Sequence, residues 1–307
     1  MSTDARRGIV GTPVTPFTED GGLDTATLER LVEFHLAHGC HLLAMPMHVG
    51  ESLDLTIDER KTLAEVAVKT ASGRVPVFVN ASLPGTGQVI ELARHAESVG
   101  ADGIVVITPY HWRPEPDALL AHFAAVAGAV GIDVLLYNFP GRLGVAITPD
   151  LLARLIERCP NVVGMKDASY DMQAVTELLR RVRDVAEDFH LFTGVEYPLP
   201  GMVLGAHGCF SPSLQIAPGL VRTLYERCAT GDYGGALPFQ QRASALWQVV
   251  KSEHAAGMKA ALELMGRPVG GVRLPMLPLD ATQRSRLESS LRELGVLDGE
   301  PVGWQGP

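Results

Sequence analysis

Short apolar runs alternate with amphipathic windows from the amino terminus to Ser211. Eight runs have the length and the bounding residues of buried strands. They are Gly8–Pro13, Cys40–Pro46, Val75–Asn80, Gly103–Thr108, Asp133–Asn138, Val162–Lys166, His190–Thr193 and His207–Ser211. The windows between them have helical character and are Thr25–His38, Ile57–Thr70, Gln88–Val99, Asp117–Val130, Pro149–Arg158, Met172–Arg183 and Leu199–Leu204. Several should begin at a capping residue, namely Thr25, Thr56, Thr148 or Asp171. This alternation is typical of a parallel sheet wrapped by helices.

Eight strands with helices between them favour an α/β fold of the closed (β/α)8 type, a TIM barrel. An open doubly wound sheet is the alternative, but no G-x-G-x-x-G sequence follows the first strand. After Ser211 the strand pattern stops, and helices are predicted at Ala217–Ala229, Tyr233–Ser252, Ala255–Met265 and Thr282–Leu294. We expect residues 1–230 to form the barrel, with the active site at the carboxyl ends of its strands. Residues 231–307 should form a small C-terminal helical appendage with a loose tail, Gly299–Pro307.

Composition excludes several classes of protein. The net charge of −9 argues against nucleic-acid binding, and no basic stripe with interleaved aromatic residues occurs. No window approaches 18 uninterrupted apolar residues, and Met1–Arg7 is polar, so we expect no membrane span, no signal peptide and a cytoplasmic location. The cysteines have no metal-ligand spacing and are expected to be reduced: Cys40, Cys159, Cys209 and Cys228.

One lysine stands at the end of a strand-like apolar run, Val162–Lys166. The other four lysines, Lys61, Lys69, Lys251 and Lys259, lie on helical windows and are expected to face solvent. A lysine at the mouth of an apolar interior loses solvation, which lowers its pKa and makes a free amine available to attack carbonyls. The alternative is that Lys166 merely reaches solvent past the strand end.

In a barrel, the residues that end each strand meet at one mouth. They are Thr12, Met47–Glu51, Asn80, Thr108–Tyr110, Tyr137–Asn138, Lys166, Thr193–Gly194 and Ser211. Lys166 is therefore expected to face Tyr110 and Tyr137, which suits Schiff-base chemistry with Tyr137 as the proton relay. Alternatively, Tyr137 only packs the core. Arg142 either clamps a substrate carboxylate or is a surface arginine.

The order of these pieces resembles the dihydrodipicolinate synthase and N-acetylneuraminate lyase family, from about Gly8 to Leu297. The strongest matches are Tyr137–Arg142 (family pattern YNxPxR), Gly164–Asp167 (GxKx), Thr108–Tyr110 with Arg113-Pro114, Gly50-Glu51, Thr193-Gly194 and Gly205–Gly208. The resemblance implies a barrel lyase that binds a 2-oxo acid, usually pyruvate, as an imine on Lys166. It implies no cofactor and no metal, and a homotetramer or homodimer.

The same resemblance assigns roles to individual residues. Lys166 would form the imine and Tyr137 would relay protons. Tyr110, which in the family's tetramers usually reaches into a neighbouring subunit's site, would extend the relay. Arg142 would meet a second carboxylate or the distal part of the substrate. Main-chain groups would hold the 2-oxo acid's carboxylate at Val49 and Gly50, and would line the site at Gly194 and Phe210.

Four segments depart from the synthase pattern. After the second strand, the usual G-[TS]-T-G-E is Met47–Glu51, so both hydroxyls are gone. His48 either replaces the hydroxyl relay as an acid/base group or only fills space, and Val49 brings no hydroxyl for the carboxylate. The other departures are Asn80–Pro84 after the third strand, Val195-Glu196 after the seventh, and Ala256–Lys259 in place of N-P-x-P-x-K.

Three hypotheses follow. The favoured one is a class I lyase that makes or breaks a carbon–carbon bond, or eliminates water, at a 2-oxo acid held on Lys166. An authentic 4-hydroxy-tetrahydrodipicolinate synthase of lysine biosynthesis ranks lower, because the loops after the second, third and seventh strands of this chain depart from the synthase pattern. The third hypothesis is a protein that binds a 2-oxo acid without turnover, and His48 and Val49 support it. A metal-dependent aldolase is disfavoured, because His35, His38 and His41 straddle a helix end and a strand. A pyridoxal enzyme lacks a recognisable phosphate cradle.

Overall fold

Eight parallel strands close into a barrel in the computed structural model, which describes residues 6–194 and 197–306. The strands are β1 (Gly8–Gly11), β2 (Leu42–Met45), β3 (Val77–Asn80), β4 (Gly103–Ile107), β5 (Asp133–Asn138), β6 (Val162–Asp167), β7 (His190–Thr193) and β8 (Gly208–Ser211). Each strand pairs with the next, and β8 closes on β1 through Gly208 and Gly8. The predicted TIM barrel is confirmed.

Helices follow the strands as the pattern predicts. The first eight are α1 (Thr25–Ala37), α2 (Ile57–Ala71), α3 (Thr86–Ser98), α4 (Pro116–Ala127), α5 (Pro140–Leu143), α6 (Pro149–Arg158), α7 (Met172–Arg183) and α8 (Pro198–Leu204). The short helix α5 is not predicted by periodicity, since four residues are too few to show one. Two 3₁₀ turns, His48–Gly50 and Pro212–Gln215, follow β2 and β8.

Most boundary differences have local causes. Strands β1 and β2 end before Pro13 and Pro46, and β3 begins after Pro76, because proline has no N–H to donate to a neighbouring strand. Thr56, Thr148 and Asp171 cap their helices as predicted. The predicted cap Thr25 is wrong: the side chain of Asp24 accepts the N–H of Thr27 instead.

Side chains fill the barrel interior below its mouth. Phe78, Phe192 and Phe210 are fully buried there with Val10, Leu42, Val105 and Leu135. A second apolar layer lies between the strands and the surrounding helices. The interior is therefore a packed core, and the space for a substrate lies at the carboxyl ends of the strands.

The C-terminal region consists of helices, as predicted. They are α9 (Pro218–Ala229), α10 (Tyr233–Lys251), α11 (His254–Leu264), α12 (Ala281–Glu293) and α13 (Val296–Gly299). Their buried residues share one apolar cluster with Val14 and Leu31 of the barrel. The division of the chain at residue 230 stays a prediction.

The end of the chain is held in place, so the prediction of a loose tail is wrong for its described part. The guanidinium of Arg267 is fully buried and donates to the carbonyls of Pro301 and Gly303 at 2.7 and 2.8 Å. Gly303 N–H donates to Met265 O at 2.8 Å. Arg30 lies over the Trp304 ring, 4.4 Å from its centroid.

Within residues 6–194 and 197–306, none of the helices is both long enough and apolar enough to cross a bilayer.

Candidate active site

Lys166 is the second-to-last residue of strand β6 and lies inside the barrel mouth. The residue is 6% exposed, and Nζ lies 4.0 Å from the centroid of the Tyr137 ring and 4.9 Å from that of Phe210. Burial lowers the pKa of Lys166 to about 7. Among the described residues no carboxylate lies within ion-pair distance of Nζ. A neutral amine is therefore available near neutral pH.

Asp167, the acidic residue next to Lys166, is hydrogen-bonded to other side chains. Asp167 accepts hydrogen bonds from Asn138 Nδ2 at 2.7 Å and from the hydroxyl of Ser169 at 2.6 Å. Asn138 in turn accepts the N–H of Ile147 at 2.9 Å. These bonds fix the ends of β5 and β6, so the lysine and the tyrosine they carry are held in register.

Tyr137 lies beside Lys166 on strand β5, with the two residues paired in the sheet. It is 5% exposed, and its ring stacks on Phe139 at 5.7 Å. Burial raises the pKa of Tyr137 above its ordinary value, and the nearby Tyr170 and Tyr110 raise it further. The phenol therefore stays protonated and can serve as a proton donor.

His48 contacts both tyrosines with its ring and is hydrogen-bonded to one of them. Its Nε2 is hydrogen-bonded to the hydroxyl of Tyr110 at 2.9 Å, and its ring centroid lies 5.8 Å from that of Tyr137. Burial lowers the pKa of His48 to about 4, and the charges of Lys166, Arg60 and Arg142 act in the same direction. The imidazole is therefore neutral at neutral pH. A neutral ring has one donor and one acceptor nitrogen, so it can pass a proton along a hydrogen-bonded chain.

Tyr110 lies at the mouth of the barrel formed by its own chain. Burial raises its pKa to about 12, so the hydroxyl is protonated at neutral pH. It follows β4 and is partly buried against the residues that fill the barrel interior. Within one chain, Tyr110, His48, Tyr137 and Lys166 thus lie together, as the sequence predicts.

The backbone N–H groups of the His48–Gly50 turn differ in whether they are hydrogen-bonded. Gly50 N–H donates to Met47 O at 2.9 Å, so this donor is already engaged. Among the described residues, Val49 N–H has no hydrogen-bond partner. A Cβ at Gly50 would come within 3.1 Å of Pro13 O and 3.2 Å of Thr15 Oγ1. Val49 therefore supplies the free donor, while Gly50 permits the close packing.

The remaining predicted residues lie at the rim and the floor. Arg142 is exposed on α5, and within residues 6–194 and 197–306 its guanidinium has no hydrogen-bond or ion-pair partner. Gly194 N–H donates to Asp167 O at 2.5 Å, and a Cβ there would come within 2.8 Å of Ala168 Cβ. Phe210 faces Lys166 with its ring, whereas main-chain lining was predicted. The predicted departure Val195-Glu196 lies outside the described residues.

Sequence reasoning missed a buried arginine beside the site. Arg60 is 1% exposed and donates to the carbonyls of Ser82 and Asn80 at 2.9 and 3.0 Å. It lies on the buried side of α2 with Leu63, Ala64, Ala67 and Ala71. That i, i+3, i+4, i+7 spacing was the available signal. Its charge acts on both His48 and Tyr110.

The prediction that Lys259 faces solvent is wrong. It is 4% exposed, and Nζ forms an ion pair with Glu51 Oε1 at 2.7 Å. Lys259 lies on α11, whose residues Ala255–Leu262 are all buried. The same test that singled out Lys166, a lysine in an apolar run, would have singled out Lys259.

Comparisons with known proteins agree with this architecture. The model of the dihydrodipicolinate synthetase family matches residues 5–294. A 4-hydroxy-tetrahydrodipicolinate synthase from Rhizobium meliloti is 36% identical over 292 residues, which cover 94% of this chain and 99% of the relative. Another from Bacillus subtilis is 33% identical over 283 residues, covering 92% of this chain and 97% of the relative.

Solved structures give the same answer. A dihydrodipicolinate synthase from Aquifex aeolicus superposes with a TM-score of 0.89 at 31% identity, covering 94% of this chain and 98% of that one. A prophage protein of the dihydrodipicolinic acid synthase family from E. coli, in complex with pyruvate, has a TM-score of 0.90 at 31% identity, covering 95% and 99%. The resemblance seen in the sequence is confirmed: the chain belongs to the dihydrodipicolinate synthetase family and is a lyase of that family.

Proposed function

We propose that the protein is a class I lyase that holds a pyruvate-type 2-oxo acid as an imine on Lys166, with Tyr137 as the proton relay. The observation that carries this is the buried amine of Lys166, which has no carboxylate partner among the described residues and lies over the Tyr137 ring. An ammonium at an ordinary pKa would be almost wholly protonated at neutral pH and could not attack a carbonyl.

The steps follow from the groups at the mouth. The lone pair of Nζ attacks C2 of the 2-oxo acid, the carbonyl oxygen takes a proton from Tyr137, and a carbinolamine forms. Tyr137 then takes a proton from the positively charged carbinolamine nitrogen and passes it to the same oxygen. The C2–O bond breaks, water leaves, and the C2–N double bond of the protonated imine forms. The protonated imine accepts electrons from C3, so that a C3 proton is lost or a bond between C3 and C4 is made or broken. Tyr137 is reprotonated through the relay.

The relay in this protein runs through an imidazole. His48 links the Tyr110 hydroxyl to the neighbourhood of Tyr137, where relatives of the synthase type were expected to carry a hydroxyl. Because His48 is neutral, it would hand a proton on by accepting at one nitrogen and donating from the other. It would not act as an imidazolium that is already protonated before the reaction begins. Of the two roles that the sequence allows for His48, we therefore propose the acid/base role, carried out by a neutral imidazole.

Two cationic or donor groups would orient the substrate. Val49 N–H, which has no acceptor in the described part of the chain, would donate to the carboxylate next to C2. The guanidinium of Arg142 at the rim has no partner among the residues that the structure describes, and it would meet a second anionic group or the distal part of the substrate.

A second candidate is the authentic 4-hydroxy-tetrahydrodipicolinate synthase. The relatives from Rhizobium meliloti and Bacillus subtilis, which match almost from end to end, carry that name. The altered turn after β2 argues for a different second substrate, since His48 and Val49 replace two hydroxyls. The binding-only hypothesis loses its support, because the family consists of lyases.

The oligomeric state is proposed to be a homodimer or homotetramer that pairs through the loop after β4. The indole of Trp112, two residues after Tyr110, is 65% exposed and offers an apolar surface for such pairing. A structural neighbour with a TM-score of 0.90 at 29% identity is described as a monomeric dihydrodipicolinate synthase variant, so a monomer is the alternative. Light scattering on the purified protein decides between them. The cytoplasmic location stays a prediction.

Exchange of substrate protons tests the proposal without knowledge of the second substrate. An imine on Lys166 acidifies C3, so the enzyme should exchange the methyl protons of pyruvate for deuterium in D2O, observed by proton NMR. Lys166→Met should abolish the exchange, while Lys61→Met, which removes a surface lysine paired with Glu91, should retain it. Exchange that survives Lys166→Met would contradict the proposal. Consumption of pyruvate only with aspartate semialdehyde would favour the second candidate.

A further inference from the structure

A buried ion pair lies directly behind the turn that offers Val49 N–H. Glu51 follows Gly50, and its carboxylate Oε1 lies 2.7 Å from Lys259 Nζ, with the two side chains 0% and 4% exposed. The other carboxylate oxygen, Oε2, accepts the backbone N–H of Arg273 at 2.9 Å. Lys259 also donates to Gly271 O at 2.5 Å. Two residues of the C-terminal region, Lys259 and Arg273, thus contact the carboxylate of Glu51.

The backbone at Glu51 is set in an unusual conformation. Its φ is +55°, in the left-handed region that residues with a side chain seldom adopt, and its N–H donates to His48 O at 3.1 Å. On the other side of the turn, Thr15 Oγ1 donates to Gly50 O at 2.6 Å. The direction of Val49 N–H is therefore fixed by contacts on both sides, and the ion pair is the one that comes from the C-terminal helices.

Stability alone does not account for this pair. Removing two charges from water is costly, and well-packed apolar side chains at such a place are often equally stabilising. What the pair adds is a defined direction of the carboxylate, since Glu51 Oε2 accepts the Arg273 N–H at 2.9 Å while Oε1 lies within ion-pair distance of the Lys259 ammonium. The benefit of the pair is thus expected in the orientation of the turn.

We infer that Glu51 and Lys259 are positioning residues for recognition of the 2-oxo acid's carboxylate, acting through the direction of Val49 N–H. This inference rests on the proposed function, because it assumes that a 2-oxo acid binds at Lys166. Neither side chain is required to touch the substrate. The consequence is selectivity: the pair favours a charged carboxylate over a neutral ester of the same shape.

The test compares pyruvate with methyl pyruvate, which keeps the reactive carbonyl and lacks the carboxylate charge. Each compound is incubated with the protein and borohydride over a range of concentrations, and labelling of Lys166 is measured by mass spectrometry. The double variant Glu51→Gln/Lys259→Met removes both charges. The preference for pyruvate over methyl pyruvate should fall by about tenfold or more, through weaker half-saturation by pyruvate.

The chain offers a matched control at the opposite end of the barrel. Arg6 and Asp133 form a largely buried pair at 2.7 Å, and Asp133 begins β5. Arg6→Met/Asp133→Asn should lower stability without changing the preference for pyruvate. A merely structural role of Glu51 and Lys259 would give the same unchanged preference, so an unchanged ratio in the folded double variant overturns the inference.

A variant that fails to fold does not end the test. Glu51→Gln alone keeps the shape of the side chain and an acceptor for the Arg273 N–H, and Lys259, whose pKa burial lowers to about 8, can lose its proton there. The same fall in preference is expected. Retained preference in this variant overturns the inference, whereas absence of any adduct in the unmodified protein would contradict the proposed function itself.

Discussion

The Nε2 atom of His48 lies 2.9 Å from the hydroxyl of Tyr110, and this hydrogen bond joins the loop after β2 to the loop after β4. It places an imidazole where a hydroxyl was expected between two tyrosines. The chemistry proposed here depends on that ring being neutral, which follows first from its burial and also from the positive charges of Arg60 and Arg142.

Removal of the imidazole should affect turnover more than binding. His48→Ala interrupts the chain of donors and acceptors, so kcat should fall on the order of a hundredfold while half-saturation by the 2-oxo acid changes little. Steady-state rates, or the rate of pyruvate proton exchange, measure this. His95→Ala, which removes a histidine paired with Glu65 on the helices outside the barrel, is the control. An unchanged kcat in His48→Ala would make His48 a packing residue.

The pH dependence of imine formation should report the buried amine. Since the pKa of Lys166 is about 7, the fraction of free amine rises as the pH passes through that value and is complete about two units above it. Borohydride trapping rates with pyruvate should therefore rise up to about pH 9 and then level off. A rate that keeps rising tenfold per pH unit up to about pH 10 would mean an ordinary lysine.

Lys166 should also be costly to the fold. Its pKa in the folded protein, about 7, lies below the ordinary 10.5, so the unfolded chain binds more protons between these values. The penalty is therefore complete below about pH 7 and disappears as the pH rises toward 10.5. Lys166→Met should raise the free energy of unfolding by roughly 2–5 kcal/mol at about pH 6 and by little near pH 10.

Denaturant unfolding at both pH values measures this effect. Lys61→Met is the matched control, since its ion pair with Glu91 lies at the surface and should change stability by less than about 1 kcal/mol. A Lys166→Met protein that is less stable than the parent at low pH would show that the amine is solvated or paired in the folded state.

Arg60 should help to keep the pKa of His48 low, and so help to keep the imidazole neutral as the pH falls. Its charge is one of the causes that lower the pKa of His48, so Arg60→Met should raise that pKa toward its ordinary value, while Arg60→Lys should raise it less. NMR titration of labelled histidine measures the shift. Arg60→Met also leaves the carbonyls of Asn80 and Ser82 without their donor and should cost roughly 2–4 kcal/mol of stability. An unmoved His48 titration in Arg60→Met would show that burial alone keeps the ring neutral.

Local pattern was enough to predict the barrel and the position of Lys166. The strand at Val162–Asp167 is a short apolar run whose last side chains must point into or out of the mouth, and its lysine is visible from sequence. Arg60 was hidden because a charged residue in an amphipathic window is ordinarily assigned to the solvated side, although its spacing placed it on the buried one.

Other features depend on tertiary packing and leave little trace in sequence. Lys259 is buried because α11 packs against the loop after β2, more than two hundred residues away along the chain, and its partner Glu51 carries no local mark of that contact. The difference between Val49 N–H, which is free among the described residues, and Gly50 N–H, which is engaged, arises only once the 3₁₀ turn forms.

The measurement that tests the central claim most directly is borohydride reduction of the protein in the presence of pyruvate, followed by peptide mapping. The account predicts one reduced adduct per chain, a carboxyethyl group on Lys166, which is absent from Lys166→Met and present in Lys61→Met. A labelled lysine other than Lys166, or no adduct with pyruvate or any longer 2-oxo acid, would contradict the assignment of the imine to this residue.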